Sequence, residues 1–283
     1  MDSLKNNNFI ERSITSVLYF VRESIFSDEI ALKKGFLQAI DPRIKALSFA
    51  LFLISALFIR SIPLLIFLYL VCLLLAALSK IQLGFFLKRT WIFIPLFSLF
   101  IAIPALFTAF TPGEPLFIFR FLGIRLIISR PGLSTAALFV IRVLTSVSFV
   151  ILLGLVTKHN ELLKVLRIFR IPQVFVMTLG MCYRYIYLFI EIIQNTYLAI
   201  KSRVGTSIHY EKGQRIVAWN IANLWQRSRQ LNEEVYKAML SRGYTGEPRV
   251  LDEFETSTRD WAWLFCTVVI SVLVVYLDWL WMT

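Results

Sequence analysis

The sequence predicts an all-α polytopic membrane protein, about five transmembrane helices joined to amphipathic helices on the cytoplasmic side. Three observations carry that expectation. Of the 283 residues 58% are hydrophobic, and the mean hydropathy is +0.70, whereas soluble domains run about 45–50% apolar. The excess is gathered into runs that approach the ~20 apolar residues needed to cross a bilayer. The formal charge of +12 is carried largely between those runs, as Lys and Arg collect in cytoplasmic segments beside anionic lipid.

Residues 1–41 read as an N-terminal amphipathic interfacial segment. Ile10, Ile14, Val17, Leu18, Val21 and Ile25 recur at three- and four-residue steps, with Glu11, Arg12, Arg22 and Glu23 off the stripe. That is the pattern of a helix lying along a membrane surface. Acids near the start and the lack of an early apolar core argue against a cleaved signal peptide.

Residues 42–156 hold four expected spans. Asp41-Pro42 opens the first, because Asp caps a helix and Pro suits its first turn. This span covers about Ile44–Ile59, and after the break at Arg60-Ser61-Ile62-Pro63 the second runs to about Leu78. Both are short, so Lys45 and Arg60 are expected to extend their charges to the interfaces. Lys80–Arg89 is a basic connector, and the third span is Trp91–Phe110, with Pro95 and Pro104 inside it. Pro112-Gly113 and Pro115 mark a loop whose FIFRFLGIRLIIS stretch is a hairpin or a re-entrant piece. The fourth span is about Ser134–Val156. Residues 260–283 form the last, Trp261–Trp281, with tryptophans toward both ends as interfacial anchors.

Residues 157–259 need a separate argument. Val174–Ile193 is apolar enough for a sixth span. Five Lys/Arg before Asp41 place the N-terminus inside, so four spans return the chain to the cytoplasm at Thr157. Residues 158–170 then carry four Lys/Arg, and 194–260 carry ten against eight acids. A stronger feature is that Arg184 and Glu191 interrupt the run. With Gln194, Asn195 and Ser202 they line one helical face, opposite Phe175, Leu179, Cys182, Ile186, Ile190 and Ile193. An ionised Arg near a bilayer centre costs roughly 2.5–3.5 kcal/mol even on the lenient scale. A surface helix avoids that cost; a sixth span would need Arg184 paired inside the bundle.

Within this region, about Pro172–Arg203 and about Gln214–Arg242 each read as one long helix. The second has an apolar stripe at Val217, Ile221, Leu224, Leu231, Val235 and Ala238. Each helix closes on Ser-Arg with a glycine following: Ser202-Arg203-Val204-Gly205 and Ser241-Arg242-Gly243. Gly past a helix end allows the left-handed conformation that terminates it, and Arg in the last turn complements the helix dipole. An ordinary helix end needs no more than that. The same arrangement also presents a guanidinium fork, on a fixed tip, to a carboxylate in a partner groove. Two such tips suit a partner with two equivalent sites.

Asp41-Pro42-Arg43, 161-ELLKVLRIFRIP-172, 184-RYIYLFIEIIQ-194 and above all 239-MLSRGYTGE-247 resemble the T component of energy-coupling factor (ECF) transporters. The N-terminal extension and the Ser-Arg-Gly-Tyr-Thr-Gly-Glu ending are most similar to the branch serving cobalt and nickel, the Q-type transmembrane proteins. The resemblance implies a non-catalytic coupling subunit, multi-pass in a bacterial-type cell (inner) membrane. It would link two cytoplasmic ABC-type ATPases to a small substrate-binding membrane protein. Ser241-Arg242-Gly243 would dock one ATPase directly. Ser202, Arg203 and Gly205 would dock the other, with Val204 interposed between Arg and Gly. ATP and Mg would be bound by the ATPases, leaving this chain without a cofactor. The cargo implied is cobalt or nickel, or a vitamin through a different partner.

The remaining residues are read in the same light. Arg142, inside the fourth span, is a functional candidate by default, unless it caps a backbone carbonyl or meets a polar neighbour. Arg184 and Glu191 could brace their helix, and Asp278 is expected to be solvated at the far interface. The isolated His159 and His209, and Cys72, Cys182 and Cys266 without a C-x-x-C, point to neither a metal site nor a disulfide framework. No Gly-x-x-x-x-Gly-Lys-Ser/Thr loop cradles a phosphate. The basic charge follows membrane topology rather than a nucleic-acid surface. The competing function is a self-sufficient secondary transporter, which calls for a mid-membrane polar site and related halves; no internal repeat is seen. A membrane enzyme would need a nucleophile–base arrangement, which the scattered acids do not make.

Overall fold

The computed structural model describes residues 31–32, 35–91, 94–104, 115–121, 124–166, 171–204, 210–246 and 256–282. The amphipathic segment expected at 10–25 lies outside them. In chain order the elements are α1 (Pro42–Phe58), α2 (Ile62–Leu78), α3 (Leu83–Trp91), α4 (Ile94–Ala102), β1 (Pro115–Phe121), β2 (Ile124–Ser129), α5 (Arg130–Val156), α6 (His159–Leu166), α7 (Gln173–Val204), α8 (Tyr210–Ser241) and α9 (Thr258–Met282). The chain divides into two units. One holds Asp28–Leu162 with Phe254–Thr283, and the other holds Met1–Ser27 with Leu163–Glu253.

The fold is helical and polytopic, as expected. Arg130–Val156, Gln173–Ile200 and Thr258–Trp281 are long and apolar enough to cross a membrane, and Ile62–Leu78 is a shorter apolar helix. The FIFRFLGIRLIIS stretch takes the hairpin form. β1 and β2 pair antiparallel, with Ile118 opposite Ile127 and Phe121 opposite Ile124.

In the first unit α5 packs against α1, α2, α3 and α4, while α9 packs along α1. Phe149 of α5 meets Phe49 edge-on at 5.9 Å and stacks on Phe52 at 5.0 Å. Apolar side chains gain little from leaving lipid, so tight packing of this kind holds such helices together. Ser48, Ser55, Thr145 and Ser148 each donate to the carbonyl four residues earlier at 2.7–2.8 Å. Their hydroxyls are thereby satisfied without interrupting the apolar seam.

The third predicted span is described in part. The described residues hold the end of α3 at Trp91 and α4 from Ile94 to Ala102; residues 92–93 and 105–110 lie outside them. The basic connector is likewise largely helix. Phe86 and Thr90 of α3 are fully buried, with Lys88 and Arg89 exposed. A charge count sees the exposed face and misses the buried one.

Both ends of α1 are held by charged groups. At its start Asp41 is the N-cap, accepting from the Arg43 N–H at 2.8 Å, and Pro42 occupies the first turn. At its end Arg142 donates from Nη2 to the Ile59 carbonyl at 2.6 Å. Asp278 of α9 accepts from the Arg60 and Ser61 N–H groups at 3.0 and 2.9 Å, capping α2. Asp278 is 5% exposed and Lys45 only 1%, so two expectations are corrected. Asp278 is not solvated, because two backbone donors need it. Lys45 does not extend to an interface: it is packed inside the bundle, with Nζ 3.5 Å from the Val156 carbonyl.

Candidate functional site: two helices with arginine ends

α8 terminates through a specific set of backbone bonds. The Tyr244 N–H donates to the Met239 carbonyl at 3.0 Å, and the Gly243 N–H donates to the Leu240 carbonyl at 3.0 Å. This is a Schellman ending, with Arg242 as the C-cap and Gly243 in the left-handed position at φ 80°. Ser241 donates to the Ala238 carbonyl at 2.9 Å. The Tyr244 hydroxyl stands 3.0 Å from the Gly246 carbonyl oxygen and 3.4 Å from Met177 Sδ in the first turn of α7. Tyr244 and Gly246 are thus tied back beside the tip, while Arg242 projects from it exposed.

Gly243 carries a testable consequence. A Cβ there would touch nothing within 4 Å, so substitution strains the backbone alone, by about 1 kcal/mol. Gly243→Ala is expected to speed amide exchange at residues 243 and 244 by about fivefold, read by hydrogen–deuterium exchange. Unchanged protection there would mean that the ending does not depend on glycine.

At the end of α7, Ser202 repeats the serine bond, donating to the Ala199 carbonyl at 2.9 Å. Arg203 and Val204 are still helical. Gly205 is outside the described residues. Arg203 is exposed, and neither Arg203 nor Arg242 makes an ion pair among the described residues.

The other predicted residues are distributed. Arg184 and Glu191 are both exposed on α7, with no ion pair between them among the described residues. Pro42 and Arg43 stay with Asp41 at the head of α1, and Arg142 is at the α1–α2 turn. The apolar stripe expected on α8 splits. Leu224, Leu231 and Val235 are half-buried, whereas Val217 and Ile221 are exposed.

Sequence reading missed a groove of about 650 Å³ between α7 and α8. Glu191, Asn195, Asn223, Arg227, Gln230 and Glu234 line it among others. The three- and four-residue spacing of 223, 227, 230 and 234 was its only signal. Among the described residues, no group of three or more His, Cys, Asp or Glu is placed to hold a metal ion.

Set against known families, residues 33–251 match the cobalt transport protein (CbiQ) family. The chain belongs to that family. The matched range takes in Asp41, Arg142, Arg184, Glu191 and both Ser-Arg ends. It is similar to an uncharacterized protein of Methanocaldococcus jannaschii, 33% identical over 273 residues, which is 96% of this chain and 93% of that protein. A second uncharacterized protein of that organism is 28% identical over 133 residues, 47% of this chain and 49% of the other. This is therefore a multi-pass membrane protein of a cobalt transport family.

Proposed function

We propose that this chain is the transmembrane coupling (T) subunit of an ATP-driven ECF-type importer, with cobalt or nickel ions as cargo. It joins two cytoplasmic ABC-type ATPases to a small substrate-binding membrane protein in a bacterial-type cell membrane. ATP and Mg are bound by the ATPases, and this chain needs no cofactor and catalyses no reaction. The observation that carries the reading is the end of α8. There an exposed arginine without an ion-pair partner among the described residues sits on a helix terminus that a Schellman motif and Tyr244 hold in place. A rigid guanidinium fork of this kind suits a carboxylate in a partner groove. Arg203, with Ser202 and Gly205, supplies the second contact. Family membership supports the cargo class.

The test is a mild-detergent purification of the tagged chain from its own cell's membranes, with mass spectrometry of what accompanies it. ABC-type ATPases and a small membrane protein are expected to copurify. Arg242→Ala is expected to weaken ATPase retention at least tenfold, as truncating one partner of an interfacial charged pair does. A chain that purifies alone would remove the coupling role.

In this reading the N-terminus is cytoplasmic and α7 lies at the membrane surface, although 173–200 is long enough to cross. The favouring observation is that Arg184 and Glu191 are exposed near the middle of that segment, without a mutual ion pair. In a background lacking the three native cysteines, Arg184→Cys is expected to react with a membrane-impermeant maleimide in inside-out vesicles. Protection in those vesicles that is relieved by detergent would make α7 a span.

A further inference from the structure

Three helix ends meet where the chain leaves the bundle unit and returns to it. The chain leaves through Val156–Leu162 and re-enters at Phe254. Asp260 is the third residue of α9 and 3% exposed. One carboxylate oxygen accepts from the Ser257 N–H at 2.8 Å and the other from the Asp41 N–H at 3.2 Å. One side chain thus caps the start of α9 and ties it to the start of α1, across 219 residues of sequence. Asp41 caps α1 itself. Lys45, one turn further along α1, points at the carbonyl of Val156, the last residue of α5. The charges follow the helix dipoles: carboxylates stand at two N-termini and an ammonium at a C-terminus.

The arrangement is more than packing requires. Lys45 is fully buried and, among the described residues, makes one long bond, although an ammonium has three donors. Asp41 Oδ2 and Thr157 Oγ1 are buried and make no hydrogen bond among the described residues. The carboxylates of Glu161, Asp41 and Asp260 lie within electrostatic range of Lys45. An apolar residue of similar length would fill this space without the desolvation cost of a buried charge. The unused bonding capacity lies on Asp41, Lys45 and Thr157, beside the α5 end, while Asp260 at the start of α9 bonds through both oxygens.

We propose that Lys45 is a positioning residue for energy coupling: with Asp41 and Asp260 it fixes the two segments through which Leu163–Glu253 is attached to the bundle. This rests on the coupling-subunit reading. Displacement of Leu163–Glu253 is then passed to α1, α5 and α9 together rather than absorbed at slack connections. Asp41 Oδ2, one helical turn from Lys45, is an alternative partner for the ammonium when the α5 end moves.

The test uses the complex as it copurifies, reconstituted in proteoliposomes, with ATP hydrolysis and uptake of cobalt ions read separately. Lys45→Met is expected to retain the ATPases and hydrolyse ATP within about twofold of wild type, while cobalt uptake per ATP falls at least tenfold. Lys45→Arg, which keeps the charge, is expected to restore most of it. Asp260→Asn serves as the second variant and should lower uptake per ATP in the same direction. In the isolated chain, hydrogen–deuterium exchange of Lys45→Met should quicken in 153–162 and 256–262 and stay unchanged in 64–76. Unaltered uptake per ATP in both neutralised variants, or exchange that quickens everywhere equally, overturns the proposal. Wild type that purifies without ATPases, or hydrolyses ATP without moving cobalt, is a failure of the coupling reading itself and takes this proposal with it.

Discussion

Replacing Arg242 with glutamate is expected to abolish ATP-driven cobalt uptake and to leave the chain folded in its membrane. Arg242 makes no ion pair among the described residues, and the bonds that end α8 run through backbone groups and Gly243. The substitution therefore removes no contact the fold is known to use. Exposed changes of this kind stay within about 0.5 kcal/mol of wild type. Against a partner the sign is decisive, because a glutamate brought to a carboxylate both loses the bidentate bonds and adds like-charge repulsion worth several kcal/mol. Arg242→Lys keeps the charge and loses the planar fork, so it should fall between the two. Arg203→Glu on α7 is expected to act in the same direction, since Ser202 makes the same serine bond as Ser241. Uptake assays paired with thermal unfolding separate the cases. Normal uptake by Arg242→Glu at normal stability would leave both tips as ordinary helix ends.

The long helices were legible because their signals are local. Ser241 ends α8 where Ser-Arg-Gly said it would, and Asp41-Pro42 opens α1. Gly243 takes the positive φ that a Schellman ending demands. The same ending on α2 was not legible. There Lys80 takes φ 55°, with the Ile81 N–H on the Ala76 carbonyl at 3.2 Å, and a lysine gives no sign of it. The partners of Lys45 and Asp278 were hidden for a different reason. A charge near the end of an apolar run reads as interfacial unless its partner is visible, and these partners are 111 and 217 or 218 residues away. Arg142 offered a choice between functional site and carbonyl cap, and only the 2.6 Å approach to Ile59 reveals the bond. The stripe on α8 was placed by apolar content alone. Which apolar residues face inward depends on how α7 and α8 cross, and Trp225, 72% exposed, shows that part of the apolar surface of α8 faces outward.

Asp278→Leu is expected to be the most destabilising single change in the bundle unit. Asp278 lies near the C-terminal end of α9, where the helix dipole opposes a negative charge. Its compensation comes from the start of α2, where the dipole is favourable and the Arg60 and Ser61 N–H groups both donate to it. Those bonds are charge-assisted, and they close the α1–α2 turn from one side while Arg142 closes it from the other. Leucine would leave two donors without their partner in a site that is 5% exposed. At about 1–3 kcal/mol for each stranded donor, the loss should reach roughly 2–4 kcal/mol. Asp278→Asn keeps one acceptor oxygen and should lose about half of that. Arg142→Met frees one carbonyl, which retains its second lone pair for water, and should cost less than the leucine variant. Thermal unfolding in detergent, followed by tryptophan fluorescence, gives the order directly. If the leucine variant unfolds at the wild-type temperature, water or lipid headgroups satisfy the α2 start as well as the carboxylate does, and the turn is held by packing alone.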